Sequence, residues 1–334
     1  MESTEKQLQT ETITLWQEGE YSYPLAFGFV PDLHAYLHGD EAVRPCMLVA
    51  PGGGYCGVSP TEAGIVAKKF FDKGYNAFVL TYTTDFTMTE PLGMQPLRDI
   101  SRAVRTLRAG AARFRIDPER LAVCGFSAGG HLCASLAVHW QDVKEENSAL
   151  ASFSNRPDAA LLCYPVITSG AAAHVDSFKA LLGRENVESG RAADKLQYMS
   201  LEHHVSEDTP PCFLWHTATD DGVPVENSLL FAAALQEKKR PYALHIFSHG
   251  PHGLSLADET WANGDFGEPY TMAQLEHMIE AIRQGAWKLP GHEHETREKQ
   301  ENSLPLGGAW ESHGTNEEVR AWPELAAQWL KEVW

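Results

Sequence analysis

Residues 121–137, LAVCGFSAGGHLCASLA, decide the fold. An apolar, β-prone run leads into Gly125-Phe126-Ser127-Ala128-Gly129, and small residues at helical spacing follow it. A GxSxG carries meaning when a buried strand precedes it and a helix follows, because the turn between them must be sharp enough to lift the serine oxygen clear of the sheet's carboxyl edge. Glycines two residues to either side leave the backbone that room. The bland alternative is a small-residue turn that merely packs a helix close to a strand; the placement favours a nucleophile.

Outward from this turn, the region from about Arg44 to His249 alternates short apolar runs with segments of helical period. That pattern predicts a parallel sheet with helices on both faces. The strands are expected at 46–51, 76–82, 120–126, 159–166, 211–217 and 242–248, each hydrophobic enough for burial on both sides. ITLW and DLHAYL precede them as an antiparallel lead-in. Ser59-Pro60-Thr61-Glu62 reads as a helix start, with Ser59 as N-cap and Glu62 at the third helical position, and Gly74 as the stop. Further helices are expected from about Pro96 to Arg115 and after Pro224, the latter with Val225, Leu229, Ala232 and Leu235 or their neighbours turned inward. Residues 167–209 are mixed and follow a strand's carboxyl end, where a cap over a site belongs. Residues 260–318 form a second excursion, suited to a lid or an oligomer contact, and WPELAAQWLKEVW ends the chain as an amphipathic helix.

Composition narrows the function. The 334 residues are 43% hydrophobic and 10% aromatic, ample for a large core in a single domain. With 45 acidic residues against 27 Lys plus Arg, the net charge of -18 repels polyanions and disfavours nucleic acid or an anionic membrane surface as partner. The polar, acidic start MESTEKQLQTETITLW has no apolar signal core, and no run reaches 18 apolar residues. Six scattered cysteines without a CxxC pair fit reduced thiols, so a cytoplasmic location is expected.

A serine hydroxyl needs a base, and the base a carboxylate to orient it. In this architecture the chain order is serine, acid, histidine. Ala218-Thr219-Asp220-Asp221-Gly222-Val223-Pro224 follows one strand and His249-Gly250-Pro251-His252-Gly253 follows the next. Asp220 is favoured over Asp221, which reads as a turn residue, and His252 over His249, which ends its strand. His131, His139 and His216 read as core histidines. An oxyanion needs preorganised N–H donors, and Ala128 with the loop Pro51-Gly52-Gly53-Gly54-Tyr55 can supply them. No GxGxxG and no Lys-Ser/Thr follows the glycines, so a nucleotide is not expected. HEHET (292–296) lacks the second histidine of HExxH, and no metal or other cofactor is expected.

Together PGGGY, CGFSAGGHLCASLA, RPDAALLCYPVIT, PPCFLWHTATDDGVPVENSLLFAAAL and HGPHGLSLAD resemble the acetyl-xylan-esterase-like (xylanase-B-related) carbohydrate esterases of the α/β-hydrolase superfamily, from about Leu15 to Glu259 and again near Ala321. The resemblance implies an α/β-hydrolase fold with Ser127 as nucleophile, Asp220 as acid, His252 as base, and Gly53, Gly54 and Ala128 as oxyanion donors. It implies a serine esterase acting through an acyl-enzyme on short, acetyl esters of a carbohydrate, with an oligosaccharide or small-molecule ester as partner and no bar to a homo-oligomer. Tyr55, Trp215 and Trp261 are candidates for stacking on a sugar. Two departures stand out: Tyr82-Thr83 where relatives often have Tyr-Arg, and the length of the 260–318 excursion. The alternatives are an amide hydrolase of the same fold, since a triad does not tell ester from amide, and a noncatalytic hydrolase-fold binding protein, which would normally have lost a triad member.

Overall fold

A computed structural model describes residues 8–304 and 314–334; the first seven residues of the acidic start and residues 305–313 of the second excursion lie outside the described residues. Eight strands form one sheet in the order β1-β2-β4-β3-β5-β6-β7-β8. β1 (Leu8–Thr14) pairs antiparallel with β2 (Asp32–His38), and β2 antiparallel with β4 (Asn76–Thr81), as the lead-in expectation required. β3 (Arg44–Ala50), β4, β5 (Ile116–Phe126), β6 (Ala159–Cys163), β7 (Cys212–Thr217) and β8 (Tyr242–Phe247) run parallel. Parallel neighbours need a crossover, and helices supply most of them. These are α1 (Gly64–Asp72), α2 (Gln95–Ala109) with the short α3 (Ala111–Phe114), α4 (Ser127–His139), the cap helices α5 (Val175–Leu182), α6 (Arg184–Glu188) and α7 (Ala193–Tyr198), and α8 (Glu226–Glu237).

The central strands are apolar throughout because each face is covered. Leu48, Val123, Leu162 and Leu214 point into a core with Ile100, Leu132, Leu136, Phe231 and the cap's Phe178. Their neighbours Met47, Val49, Cys124, Leu161 and Trp215 face a second core with Val66, Phe70 and the C-terminal helix's Trp322 and Leu330. That period of two is the strand signature, with each face buried against its own helices. α9 (Glu259–Ala262), α10 (Ala273–Gln284) and α11 (Arg297–Asn302) belong to the second excursion, and α12 (Trp322–Val333) closes the chain. Leu275, Ile279, Ile282, Leu289 and Leu304 give the excursion a small core of its own. Gln274 ties it to the end of β4, accepting the Thr84 N–H at 2.8 Å and donating to the Thr84 carbonyl at 2.7 Å. No helix among the described residues is long and apolar enough to cross a membrane.

Three local readings need correction. Pro60–Glu62 is a 3-10 turn and α1 starts only at Gly64; Ser59 caps nothing with its side chain, and Glu62 turns inward rather than back along a helix. The long helix expected over 96–115 breaks at Gly110, where a Cβ would meet the Phe114 ring at 2.4 Å. On α8 it is Phe231, Ala232 and Leu235 that face the core, while Leu229 is exposed.

Candidate active site

Five of the parallel strands end side by side, and each delivers one part of the site. The ladder pairs Ala50 with Gly125, Phe126 with Cys163, Cys163 with Trp215 and Thr217 with Phe247, so the loops that follow emerge along one carboxyl edge. Ser127 follows β5 directly and has φ +51°, a left-handed conformation that is unfavourable for a residue with a Cβ. The turn persists because its surroundings fix it. A Cβ on Gly129 would sit 2.1 Å from the Ala50 carbonyl oxygen and 2.4 Å from that of Pro51, so only glycine lets α4 pack this closely on β3. Ser127 is thereby held at the N-terminus of a 13-residue helix, whose dipole favours negative charge there.

The Ser127 Oγ lies 2.8 Å from His252 Nε2, and His252 Nδ1 lies 2.8 Å from Asp220 Oδ2 and 3.1 Å from Oδ1. Asp220 Oδ1 also accepts the N–H groups of Gly222 at 2.9 Å and Val223 at 2.8 Å, which locks the carboxylate plane. Burial would raise this carboxyl, but bonds from His216, His252 and the Val223 amide outweigh it and hold Asp220 well below the usual carboxylate range. With an ionised carboxylate at Nδ1, the imidazole carries its proton there and leaves Nε2 free to accept from the serine. The neighbouring Asp221 acts on the backbone instead, its Oδ1 accepting the N–H of His252 at 2.9 Å. The His249 carbonyl accepts from Asn316.

The glycine loop lies against Ser127. A Cβ on Gly52 would be 3.0 Å from Ser127 Cβ, and Gly53, at φ +121°, has no room for one beside the Gly57 carbonyl. Carbonyls of this loop are tied inward, Ser59 N–H to Gly52 and Cys56 N–H to Gly53, and the Gly52 N–H goes to Glu62. Among the described residues the N–H groups of Gly53 and Gly54 have no acceptor within the chain, and the Ala128 N–H, in the first turn of α4, has none within its helix. Free amides beside a serine oxygen are what an oxyanion site requires.

The cap reaches the same place. Ser177 of α5 has its Oγ 4.0 Å from the position a Cβ would take on Gly54, and it bonds His174 Nδ1 at 2.9 Å. Burial, then the charge of His252, lowers the His174 pKa. A cavity of about 530 Å³ lies elsewhere, between Tyr23, Leu92, Arg98, Lys195 and Tyr198, and includes neither Ser127, Asp220 and His252 nor the glycine loop.

The three aromatic candidates are in the wrong place for stacking on a ligand. Tyr55, Trp215 and Trp261 are 2%, 0% and 1% exposed. Tyr55 donates its hydroxyl to His131 Nδ1 at 2.9 Å, while His131 Nε2 donates to the Met199 carbonyl. Trp215 stacks on Trp322, and Trp261 is buried in the second core. Thr83, at the departure from Tyr-Arg, donates N–H and hydroxyl to the buried Asp99 instead of reaching the cleft.

Three functional neighbours escaped the sequence reading. His216, placed among core histidines, lies 3.3 Å from Asp220 Oδ2; Glu62 and Tyr164 meet at 2.6 Å beside the glycine loop. The strand position of His216, four residues before Asp220, was the one signal available. Nothing in the sequence separates Glu62 from a capping residue. Among the described residues no group of three or more His, Cys, Asp or Glu is arranged to hold a metal ion.

A serine at the elbow after β5, with acid and histidine from the ends of β7 and β8, defines an α/β-hydrolase. The sequence profile of the BD-FAE family matches residues 33–235, and the chain belongs to that family. It is 51% identical over 260 residues to endo-1,4-beta-xylanase B of Butyrivibrio fibrisolvens, covering 78% of this chain and 40% of that one. An acetylxylan esterase of Xylanibacter ruminicola is 29% identical over 215 residues, covering 63% and 41%. The chain thus spans about two fifths of the length of these relatives. The crystal structure of an acetyl ester-xyloside bifunctional hydrolase from Caldicellulosiruptor lactoaceticus matches with a TM-score of 0.65 at 37% identity, over 82% of this chain and 96% of that one.

Proposed function

We propose that this protein is a serine esterase that removes short acyl groups, acetyl above all, from carbohydrates. The observation that carries this reading is the continuous chain of 2.8 Å contacts from Ser127 through His252 to Asp220, next to a glycine loop whose Gly53 and Gly54 N–H groups have no acceptor among the described residues. His252 Nε2 takes the hydroxyl proton as Ser127 Oγ attacks the ester carbonyl, and the N–H groups of Gly53, Gly54 and Ala128 receive the oxyanion. Collapse of the tetrahedral intermediate breaks the bond to the alcohol, which leaves with the proton from His252. Water then enters, His252 accepts its proton, and the acyl-enzyme is cleaved to carboxylic acid and free serine. Asp220 keeps the imidazole in one tautomer throughout. The likeness to an acetylxylan esterase and an acetyl ester-xyloside hydrolase supports acetylated xylo-oligosaccharide as substrate.

The test is acetate release from acetylated xylo-oligosaccharides, run beside p-nitrophenyl acetate, p-nitrophenyl butyrate and an aminoacyl anilide, with wild type and Ser127→Ala in parallel. Serine-dependent release from the sugar at a higher kcat/KM than from the activated ester is expected. Turnover of the activated esters alone removes the sugar assignment, and preference for the anilide replaces the esterase with an amidase.

A further inference from the structure

Glu62 is buried at 4% exposure, and among the described residues it has no basic partner within salt-bridge distance. An isolated buried carboxylate is expensive, and an apolar side chain would fill the space at lower cost. Its bonds show what it holds. Oε2 accepts the Gly52 N–H at 2.7 Å, and Oε1 accepts the Tyr164 hydroxyl at 2.6 Å. That hydroxyl in turn accepts the Ser255 N–H at 3.0 Å, three residues beyond His252, so its single proton is committed to Glu62.

Tyr164 follows β6 with φ +37°, a strained conformation, and its ring stands edge-on to the His252 imidazole with centroids 5.0 Å apart. One carboxylate therefore joins the loop after β3, which carries the free amides, to the loop after β8, which carries the histidine, through the residue that follows β6. Both of its oxygens are met by donors, the pattern that suits the ionised form. We infer that Glu62 is a positioning residue for the proposed esterase reaction: through Gly52 and Tyr164 it sets the oxyanion loop and the histidine loop in one register, and its negative charge favours the imidazolium that forms as Ser127 attacks.

The charged and titratable groups around this pair are few. His252 is faced by Asp220 from the β7 loop, by His174 from the start of α5, and by Glu62 and Tyr164. Glu62 is faced by Tyr164, Tyr82 and Cys163. Burial raises the Glu62 carboxyl above its ordinary value, and the bonds from Tyr164 and Gly52 and the charge of His252 oppose that rise. Asp220 orients the imidazole directly; Glu62 acts only through backbone, Tyr164 and its field.

This inference rests on the esterase reading, and the experiment separates the two. Wild type, Ser127→Ala, Glu62→Gln and Tyr164→Phe are compared on p-nitrophenyl acetate and acetylated xylo-oligosaccharide, with rates expressed per titrated active site and kcat/KM followed against pH. Glu62→Gln is expected to lower kcat by about ten- to a hundredfold, less than the loss of an oxyanion donor, with KM changed by less than about threefold. The acid limb of its kcat/KM profile moves to lower pH, because a negative charge near His252 is gone. Tyr164→Phe keeps the ring against His252 and removes the hydroxyl, and kcat falls in the same sense. A purely structural Glu62 would lower the melting temperature and the fraction of active sites, yet leave kcat per site and the acid limb unchanged; that result overturns the inference. If Glu62→Gln does not fold, Tyr164→Phe decides, and an unchanged kcat per site refutes it. A wild type with no serine-dependent turnover of either ester overturns the esterase reading as well.

Discussion

Replacing Asp220 by asparagine tests the site at its most constrained point. The N–H groups of Gly222 and Val223 lie 2.9 and 2.8 Å from Oδ1, so an asparagine must put its oxygen there. Its NH2 then takes the place of Oδ2, 2.8 Å from His252 Nδ1 and 3.3 Å from His216 Nε2. A donor facing Nδ1 drives the imidazole proton to Nε2, which lies 2.8 Å from Ser127 Oγ and can no longer accept the hydroxyl proton. The geometry stays intact while the tautomer is wrong, a change worth about 10⁴ in kcat, or about 5.5 kcal/mol of barrier. Asp221→Asn is the matched control. Its side-chain oxygen can still accept the His252 N–H, so kcat should stay within about fivefold of wild type. The assay is steady-state hydrolysis of p-nitrophenyl acetate, normalised to active sites. A kcat for Asp220→Asn within tenfold of wild type, or a larger loss for Asp221→Asn, would refute the assignment of the acid.

Further expectations follow from the same contacts. Asp220 is held below its unfolded pKa, so its contribution to stability is complete above about pH 4 and is lost as pH falls through the folded value; the gap in urea midpoint between wild type and Asp220→Asn should narrow as pH drops below 4, and a gap that widens contradicts this sign. Gly129→Ala places a methyl 2.1 Å from a backbone oxygen and should cost about 3 kcal/mol or prevent folding. The surface control Gly190→Ala, where nothing lies within 4 Å, should cost only about 1 kcal/mol from its left-handed φ, as read by denaturant unfolding. Trp215→Phe and Tyr55→Phe disturb buried contacts, so they should lower the melting temperature and leave KM for acetylated xylo-oligosaccharide within about twofold; a large KM effect would return these rings to the ligand.

The sequence by itself determined the sheet, the elbow and the chain order of the three principal residues. Each is encoded locally: buried strands need unbroken apolar runs, the elbow needs its glycines, and loops at strand ends announce themselves by Gly, Pro and Asp. Only the tertiary structure decided what lies across those loops. Glu62 and Tyr164 are 102 residues apart, and Ser255 lies 91 beyond Tyr164, so no local period could join them. Ser59-Pro60-Thr61-Glu62 has the composition of a capping box, and the buried oxygen of Glu62 finds its N–H partner on the glycine loop instead. Tyr55, Trp215 and Trp261 have the composition of a sugar-binding face as much as of a core, and only packing assigns them to the interior, Tyr55 against His131 of α4, Trp215 against Trp322 of α12, and Trp261 within the second core. Hydrophobic pattern and turn chemistry act over a few residues, whereas the environment of a buried polar group is set by whichever chain segments the sheet brings to one edge.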